Sequence, residues 1–268
     1  MQPTTSPASS DSPVLSWREG AIGHIRFNRP QALNAIDAPL AAAFLRACEA
    51  LAGDPQVRVV WLSAEGRAFM AGGDIAAMAA DPVAVAGELI AGMHGGLRVL
   101  ARMDAPVVAS VQGAVAGGGL GLVLGAADLI VAAEGTRFAV AYPLIGASCD
   151  CSTSWSLPRL VGLRPALELA LLGDSIDAAE ALRLGLCNRV VAAGQLEGET
   201  RKLVERLAAG PTRAYGRLRR LIRASFATPF SEQLDAEAAG FRECAETEDF
   251  REGTGAFLAK RKPLFQGR

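Results

Sequence analysis

The chain has 268 residues, of which 50% are hydrophobic and 21% are charged, and its formal net charge is −1. This length provides one large domain or two small ones with a sizeable core, while the near-zero charge gives no general reason to expect a nucleic acid or an anionic membrane as partner. The five cysteines show neither zinc-ribbon spacing nor a disulfide framework, which favours a reducing, cytoplasmic setting.

The N-terminal half is predicted to begin with a tail and to continue into strands. Residues 1–13 are rich in Ser, Thr and Pro and lack the apolar run of a signal peptide, so we expect a disordered tail. Two short strands around a turn are predicted over 14–28, and Asp37 is expected to cap the helix that follows. The apolar run 57–63 predicts a buried strand, and residues 64–75 predict a loop.

The next elements alternate between helix and strand. A helix is predicted over 87–103, a second buried strand over 106–113, a further helix over 120–128 and a third strand over 129–133. Strand, loop, helix and strand in this order are typical of an α/β fold. Beyond residue 160 the chain is predicted to be mainly helical and to end in four helices.

One uncharged segment has the length of a membrane span. Residues 105–127 contain no Asp, Glu, Lys or Arg, and a span needs ~20 apolar residues in one helix. Pro106 and six glycines between positions 113 and 125 would interrupt such a helix. The segment therefore predicts a strand and a separate helix, and no membrane partner.

Two glycine-rich loops, each after a predicted buried strand, leave backbone N–H groups open to a ligand. One is Ala71–Asp74, and the other is Gly117–Gly119 at the start of a helix, whose dipole favours negative charge. The second loop lacks the spacing and the lysine of a phosphate-binding loop. Tight turns and close packing are the alternative explanation. Two such loops together predict an oxyanion hole, in which two N–H groups polarise one carbonyl oxygen.

Six segments resemble the crotonase superfamily, the enoyl-CoA hydratase/isomerase family, in order and spacing. They are FNRPQALNAI, GRAFMAGGDI, VQGAVAGGGLGL, LPRLVG, ALELALLGDSIDAAEALRLGLCNRVV and TEDFREGTGAFLAKRKPLF. The resemblance spans about residues 14 to 265. It implies an α/β crotonase-like spiral of ββα units over 14–200 and a C-terminal helical trimerisation region over 201–268. It also implies a homotrimer or a dimer of trimers, and an acyl-CoA thioester substrate without a separate cofactor.

The resemblance also implies roles for individual positions. The backbone N–H groups of Gly73 and Gly118 would hold the thioester oxygen as it becomes an enolate. Phe257 and Lys260 would lie near the adenine and phosphates of CoA, and the basic run at 260–262 suits phosphate. A solvated helix end is the alternative for Arg261 and Lys262. The remaining positions expected around the substrate are Ala32, Leu33, Ala71, Gly72, Asp74, Ile75, Gly117 and Tyr142.

The chain departs from the hydratase pattern at both catalytic glutamates. These positions fall on Gly121 and Tyr142, and tyrosine, with a reference pKa of about 10, is a poor base near neutral pH. Asp150 matches an aspartate of superfamily isomerases, including dienoyl-CoA isomerases and the ring-epoxide isomerases of phenylacetate catabolism. A cap for the next helix through Thr153 or Ser154 is the alternative role of Asp150. Since an isomerase needs one base beside an oxyanion hole, we predict an enoyl-CoA isomerase with Asp150 as its catalytic residue.

Other readings of the sequence stay open. Hydration by a different acid and ring-forming condensation are alternatives within the superfamily. A protein that binds acyl-CoA or RNA without turnover is a third alternative. The RNA reading rests on five arginines of one predicted helix, although such runs are usually solvated faces or subunit contacts. These are Arg213, Arg217, Arg219, Arg220 and Arg223.

Metal binding and thiol catalysis are not expected. Cys149 and Cys151 with Asp150 could form the corner of a metal site, but the further ligand is missing and both histidines are distant in sequence. For the same reason no histidine is expected to activate either thiol as a nucleophile. We expect His24 and His94 to be structural.

Overall fold

The structure is a computed structural model that describes residues 11–268. The predicted tail at 1–13 lies outside the described residues except for its last three positions. The strands are β1 Val14–Glu19, β2 Ile22–Phe27, β3 Val59–Ala64, β4 Val107–Val111, β5 Ala114–Ala116, β6 Leu129–Ala133, β7 Arg137–Ala139, β8 Ile176–Asp177 and β9 Arg189–Val191.

The helices make up most of the second half of the chain. They are α1 Ala38–Ala52, α2 Ile75–Ala80, α3 Pro82–Arg102, α4 Gly118–Ala126, α5 Thr153–Val161, α6 Leu163–Leu172, α7 Ala178–Arg183, α8 Leu196–Ala208, α9 Thr212–Ala224, α10 Phe230–Ala245 and α11 Glu248–Leu258. Short 3₁₀ turns occur at Pro30–Ala32, Tyr142–Ile145 and Ala193–Gln195. The four helices predicted at the C-terminus are α8 to α11.

The main sheet has six strands in the order β1-β2-β3-β4-β6-β9. Strands β1 and β2 are antiparallel, and the four pairings from β2 to β9 are parallel. A second sheet of three strands, β5-β7-β8, begins directly after β4. Because the central parallel strands are covered on both faces, their residues are mostly buried, as all five residues of β4 are. This arrangement confirms the predicted α/β class.

Helices α1 and α3 cross so closely that glycine is required between them. A Cβ atom at Gly92 would lie 2.8 Å from the carbonyl carbon of Ala41, and one at Gly96 would collide with the ring of Phe44. The α1 helix begins as predicted, since the Asp37 carboxylate accepts a hydrogen bond from the Leu40 N–H at 2.9 Å. The close crossing fixes α3, whose Leu89, Ile90 and Met93 line a cavity shared with the two glycine loops.

The structure differs from the predicted elements in several places. The predicted helix at 87–103 begins five residues earlier, at Pro82, because Asp81 caps it. A separate short helix, α2, follows the loop predicted at 64–75, and β5 lies between the strand predicted at 106–113 and the second glycine loop. Propensity missed β5 because three residues become a strand only through pairing with β7.

The uncharged segment 105–127 divides into β4, β5 and α4, so it does not form the single helix of a membrane span. Helix α3 has the length and hydropathy of a span by composition alone. Its packing against α1 through Gly92 and Gly96 is that of a helix inside a folded domain.

Candidate active site

The first glycine loop leaves the N–H group of Gly73 without a partner. The Ile36 N–H donates to the Gly72 carbonyl and the Asp74 N–H donates to the Ile36 carbonyl, both at 2.8 Å. These two bonds form an isolated β-bridge between Ile36 and Gly73, and they use the carbonyl of Gly72 and the N–H of Asp74. Within residues 11–268 no acceptor for the Gly73 N–H is found. A bare amide in a fixed loop is the donor that an oxyanion hole needs.

The second glycine loop presents the N–H group of Gly118 in the same way. Gly118 is the first residue of α4, so its amide has no intrahelical acceptor, and none is found elsewhere in the described part of the chain. Gly117 before it has φ 52° and ψ −124°. This conformation favours glycine and turns the chain from β5 into the helix.

The two loops are in contact with each other. Met70 pairs with β5 on both sides, donating to the Ala114 carbonyl at 3.0 Å and accepting from the Ala116 N–H at 2.9 Å. A Cβ at Gly117 would lie 3.5 Å from the Cα of Gly72, whose own φ is 110°. The glycines therefore allow two backbone segments to approach until the amides of both loops border one cavity.

This cavity has a volume of about 460 Å³ and an apolar wall. Both glycine loops line it, and so do Tyr142 and Asp150. Its aliphatic and thioether side chains come from Ile36, Ile75, Met78, Leu89, Ile90, Met93, Leu144 and Ile145. Asp150 is the single carboxylate in the lining, and no cationic side chain lines it within residues 11–268. The cavity thus suits an uncharged acyl group with one acid beside it.

Asp150 lies directly beside the second glycine loop. Its Oδ1 atom is 3.6 Å from the position of a Cβ on Gly118. The hydroxyl of Tyr142 donates a hydrogen bond to this same Oδ1. The backbone carbonyl of Asp150, not its carboxylate, accepts from the Thr153 N–H, and no side chain caps α5. The carboxylate of Asp150 therefore does not cap α5.

Burial and the Asp150 charge keep the neighbouring groups protonated. Burial, and then the negative charge of Asp150, raise the pKa of the Tyr142 hydroxyl well above its usual range. The same two causes raise the pKa of the Cys151 thiol. Tyr142 is therefore a hydrogen-bond donor and not a base, and Cys151 is not the thiolate that a nucleophile requires.

Gly121 leaves room for the segment that carries Asp150. A Cβ at position 121 would lie 2.7 Å from the carbonyl oxygen of Cys151 and 2.9 Å from that of Asp150. A glutamate side chain could not enter this space unless the segment moved away. The missing hydratase glutamate at 121 and the presence of Asp150 are thus two parts of one packing arrangement.

His94 contacts this segment, which sequence reasoning did not foresee. Its Nε2 atom accepts a hydrogen bond from the Cys151 N–H at 3.1 Å, across 57 positions of sequence. His94, although distant from the cysteines in sequence, is therefore in contact with Cys151 in the fold. The signal for its position was periodicity, since His94 is one turn beyond Ile90 on the helix that lines the cavity. His24 is by contrast stacked on Trp17, with ring centroids 4.4 Å apart, and 1% exposed.

Known proteins resemble this chain over most of its length. Residues 18–268 match the family described as Enoyl-CoA hydratase/isomerase. The chain belongs to the enoyl-CoA hydratase/isomerase family. The expected crotonase-like fold, with its C-terminal helices, is thereby confirmed.

Individual family members carry both reaction names. The chain is 33% identical over 259 residues to the 1,2-epoxyphenylacetyl-CoA isomerase of Escherichia coli, covering 95% of this chain and 98% of that one. It is 30% identical to the trans-2-decenoyl-[acyl-carrier-protein] isomerase of Streptococcus mutans, with 95% and 98% covered. The solved enoyl-CoA hydratase of Polaromonas sp. JS666 superposes with a TM-score of 0.88 at 32% identity, covering 94% and 99%.

Other positions that were predicted to contact the substrate lie around the two glycine loops or support them. Leu33, which follows the 3₁₀ turn ending at Ala32, accepts a hydrogen bond from the Ala71 N–H at 3.1 Å. Asp74 does not line the cavity, because its carboxylate caps α2 at the Ala77 N–H, 3.2 Å away. Asp74 thus fixes the start of the helix that contributes Ile75 to the cavity.

The two C-terminal positions lie elsewhere on the single chain. Phe257 is 83% exposed and borders a separate apolar groove of about 500 Å³ between the start of α9 and α11. Lys260 is exposed just beyond α11. The structure does not bring either residue to the cavity that holds Asp150.

Most arginines of α9 form ion pairs with acidic residues of the same chain. The ion pairs join Arg217 to Glu243, Arg219 and Arg223 to Asp128, and Arg220 to Asp104. Arg219 is only 8% exposed and also donates to the Met103 carbonyl at 2.7 Å. Arg213 remains on the surface, so α9 does not present the arginine row that the RNA reading needs. Within residues 11–268 no three His, Cys, Asp or Glu side chains form a metal-ligand group.

Proposed function

We propose that the chain is an enoyl-CoA isomerase, which shifts a double bond or rearranges a ring epoxide through a thioester enolate. The observation that carries this proposal is the position of Asp150, whose Oδ1 lies 3.6 Å from the Cβ position of Gly118. Family membership supports an acyl-CoA substrate. One carboxylate beside two free amides is sufficient for a proton shift, whereas two-glutamate hydration needs a second acid.

In a double-bond shift the amides and the carboxylate act in sequence. The N–H groups of Gly73 and Gly118 hold the thioester oxygen. Asp150 removes a proton from one carbon of the acyl group, and the electron pair moves through the conjugated system onto that oxygen as the enolate forms. The protonated Asp150 then returns the proton to a different carbon, and the electron pair moves back to form the new double bond. Water takes no part, so substrate and product have the same mass.

Tyr142 supports the base in this scheme. Its hydroxyl donates to Oδ1 of Asp150 and so holds the carboxylate beside the Gly118 loop. Because the pKa of Tyr142 is raised by burial and by Asp150, the hydroxyl stays a donor throughout the neutral range. Tyr142 therefore orients the carboxylate and does not replace a hydratase glutamate.

The cavity wall favours acyl groups without a second charge. Its sides are aliphatic or thioether groups from α2, α3 and the 3₁₀ turn at Tyr142–Ile145, and no cation is available there to pair with a distal carboxylate. Burying an unpaired carboxylate in such a wall costs several kcal/mol, about what excludes a substrate from a site. An apolar chain or an uncharged ring meets no such cost.

The test is the mass of the product formed from a panel of CoA esters. We expect 3-enoyl, 3,5-dienoyl or ring-epoxide CoA esters to give products of unchanged mass, with exchange of an acyl proton in deuterated water. Hydration, the reaction in the names of other family members, would add one water to 2-enoyl-CoA. Efficient addition of water, without isomerisation of any ester, would overturn the proposal.

A further inference from the structure

The segment that carries Asp150 has an unfavourable backbone conformation at two consecutive residues. Cys151 has φ 47° and Ser152 has φ 77°, in the left-handed region that side chains other than glycine rarely adopt. Such residues persist only when surrounding contacts determine their conformation. The contacts around this segment are therefore part of what places the Asp150 carboxylate.

Several hydrogen bonds hold residues 150–153, including the bond from the Tyr142 hydroxyl to Asp150 Oδ1 and the following three. The Ser152 hydroxyl donates to the Gly121 carbonyl at 2.9 Å, and the Thr153 N–H donates to the Asp150 carbonyl at 2.9 Å. The third is the bond from the Cys151 N–H to Nε2 of His94, at 3.1 Å. It differs from the others because it links the residue after Asp150 to α3, the helix whose Ile90 and Met93 line the cavity.

We propose that His94 is a positioning residue that fixes the left-handed backbone at Cys151 and thereby aims the Asp150 carboxylate at the oxyanion loops. Nε2 accepts the hydrogen bond, so His94 acts as the neutral ring with its proton on Nδ1. Cys151 is only 1% exposed, so losing this acceptor leaves a buried amide without a partner. The positioning role of His94 rests on the proposed function, because the orientation of the Asp150 carboxylate matters for turnover only if this group acts on the substrate.

The experiment compares two replacements of His94 that differ in their ability to accept a hydrogen bond. His94→Gln offers a side-chain oxygen at similar reach, and His94→Leu offers none. We expect the leucine variant to lose ~10- to 100-fold in kcat for isomerisation, the effect of a misplaced catalytic group. Its affinity for a saturated acyl-CoA, which cannot react, should be unchanged. The glutamine variant should keep most of the turnover.

A second replacement tests whether backbone strain at Cys151 causes the loss of kcat in His94→Leu. Glycine adopts the left-handed region without cost, so Cys151→Gly in the His94→Leu background should recover part of the lost kcat. His24→Leu is the matched control, since His24 lies outside the cavity lining, and it should leave kcat unchanged. Loss of the amide partner should also lower the Tm of His94→Leu by about 5 °C, and that of His94→Gln by less.

The outcomes separate this proposal from the proposed function. Wild-type kcat in His94→Leu, or an equal loss in His94→Gln, would overturn the positioning role while isomerase activity stands. If the wild type isomerises none of the esters, the proposed function fails. The Tm of His94→Leu, compared with that of the wild type, then tests whether His94 stabilises the segment 150–153, and an unchanged Tm would contradict this as well.

Discussion

A single methyl group at position 121, which lies outside the cavity lining, should disturb the segment 150–153 that carries Asp150. The Cβ of Gly121→Ala would lie 2.7 Å from the Cys151 carbonyl oxygen and 2.9 Å from that of Asp150. Both atoms belong to the backbone, so no side-chain rotation can relieve the contact. We expect the segment and its carboxylate to move away from α4.

The size of the effect follows from comparison with a glycine in open space. Replacement of glycine by alanine inside a helix normally stabilises it by ~0.5–1 kcal/mol. Gly87→Ala in α3 should show that gain, since nothing lies within 4 Å of its Cβ position. At Gly121 the crowding of a packed interior, worth ~1–3 kcal/mol, opposes the gain. Relative to the control, Gly121→Ala should thus be less stable by about 1–3 kcal/mol.

Denaturant unfolding of the two variants, together with their turnover of a 3-enoyl-CoA, measures both consequences. Gly121→Ala should lose turnover as well as stability, and Gly87→Ala should lose neither. Introducing the hydratase acid as Gly121→Glu should not create hydratase activity, because the side chain has no space. Equal stability and turnover of the two alanine variants would refute the packing argument that links Gly121 to Asp150.

Three further predictions concern the oxyanion hole, pH and assembly. Gly118→Val should lower turnover by ~100-fold or more in a folded protein, since its Cβ would meet the Ile36 Cδ1 at 2.9 Å; unchanged kcat would remove this loop from the mechanism. Burial lowers the pKa of His24 from 6.5 to about 4, so the unfolded chain binds more protons between these values. Stability should therefore be full above pH 6.5 and fall by up to about 3 kcal/mol towards pH 4, and a His24→Leu variant with the same pH dependence would contradict this. Exposed apolar residues on α9 and α10, such as Ile222 at 64% and Phe241 at 66%, should be covered in a homotrimer or a dimer of trimers, so light scattering should give three or six times 27.8 kDa and not a monomer.

Local sequence signals predicted the elements that depend on local chemistry. The cap at Asp37 formed because a side-chain oxygen next to an apolar helix satisfies an end amide wherever the helix packs. The split of 105–127 into strand and helix followed from Pro106 and the glycines. The free amides of Gly73 and Gly118 also lie where the glycine loops predicted them, although their role in turnover stays a prediction.

Long-range contacts could not be predicted from these signals. Helix α2 is rich in alanine but only six residues long, and so short a helix depends on its Asp74 cap and on packing more than on local preference. The periodicity of α3 places His94 on the same face as Ile90, but the contact with Cys151 depends on how α3 packs against the rest of the fold, which local spacing does not encode. The left-handed conformation of Cys151 was hidden for the same reason, since residue type alone argues against it.

The central claim is that Asp150 carries the proton, and the rate of 3-enoyl-CoA isomerisation by Asp150→Asn tests it most directly. The amide keeps the size of the carboxylate and can still accept from the Tyr142 hydroxyl, so saturated acyl-CoA should bind with wild-type affinity. Loss of the base should lower kcat by ~10²- to 10⁴-fold. A variant that binds and isomerises as fast as the wild type would contradict the account.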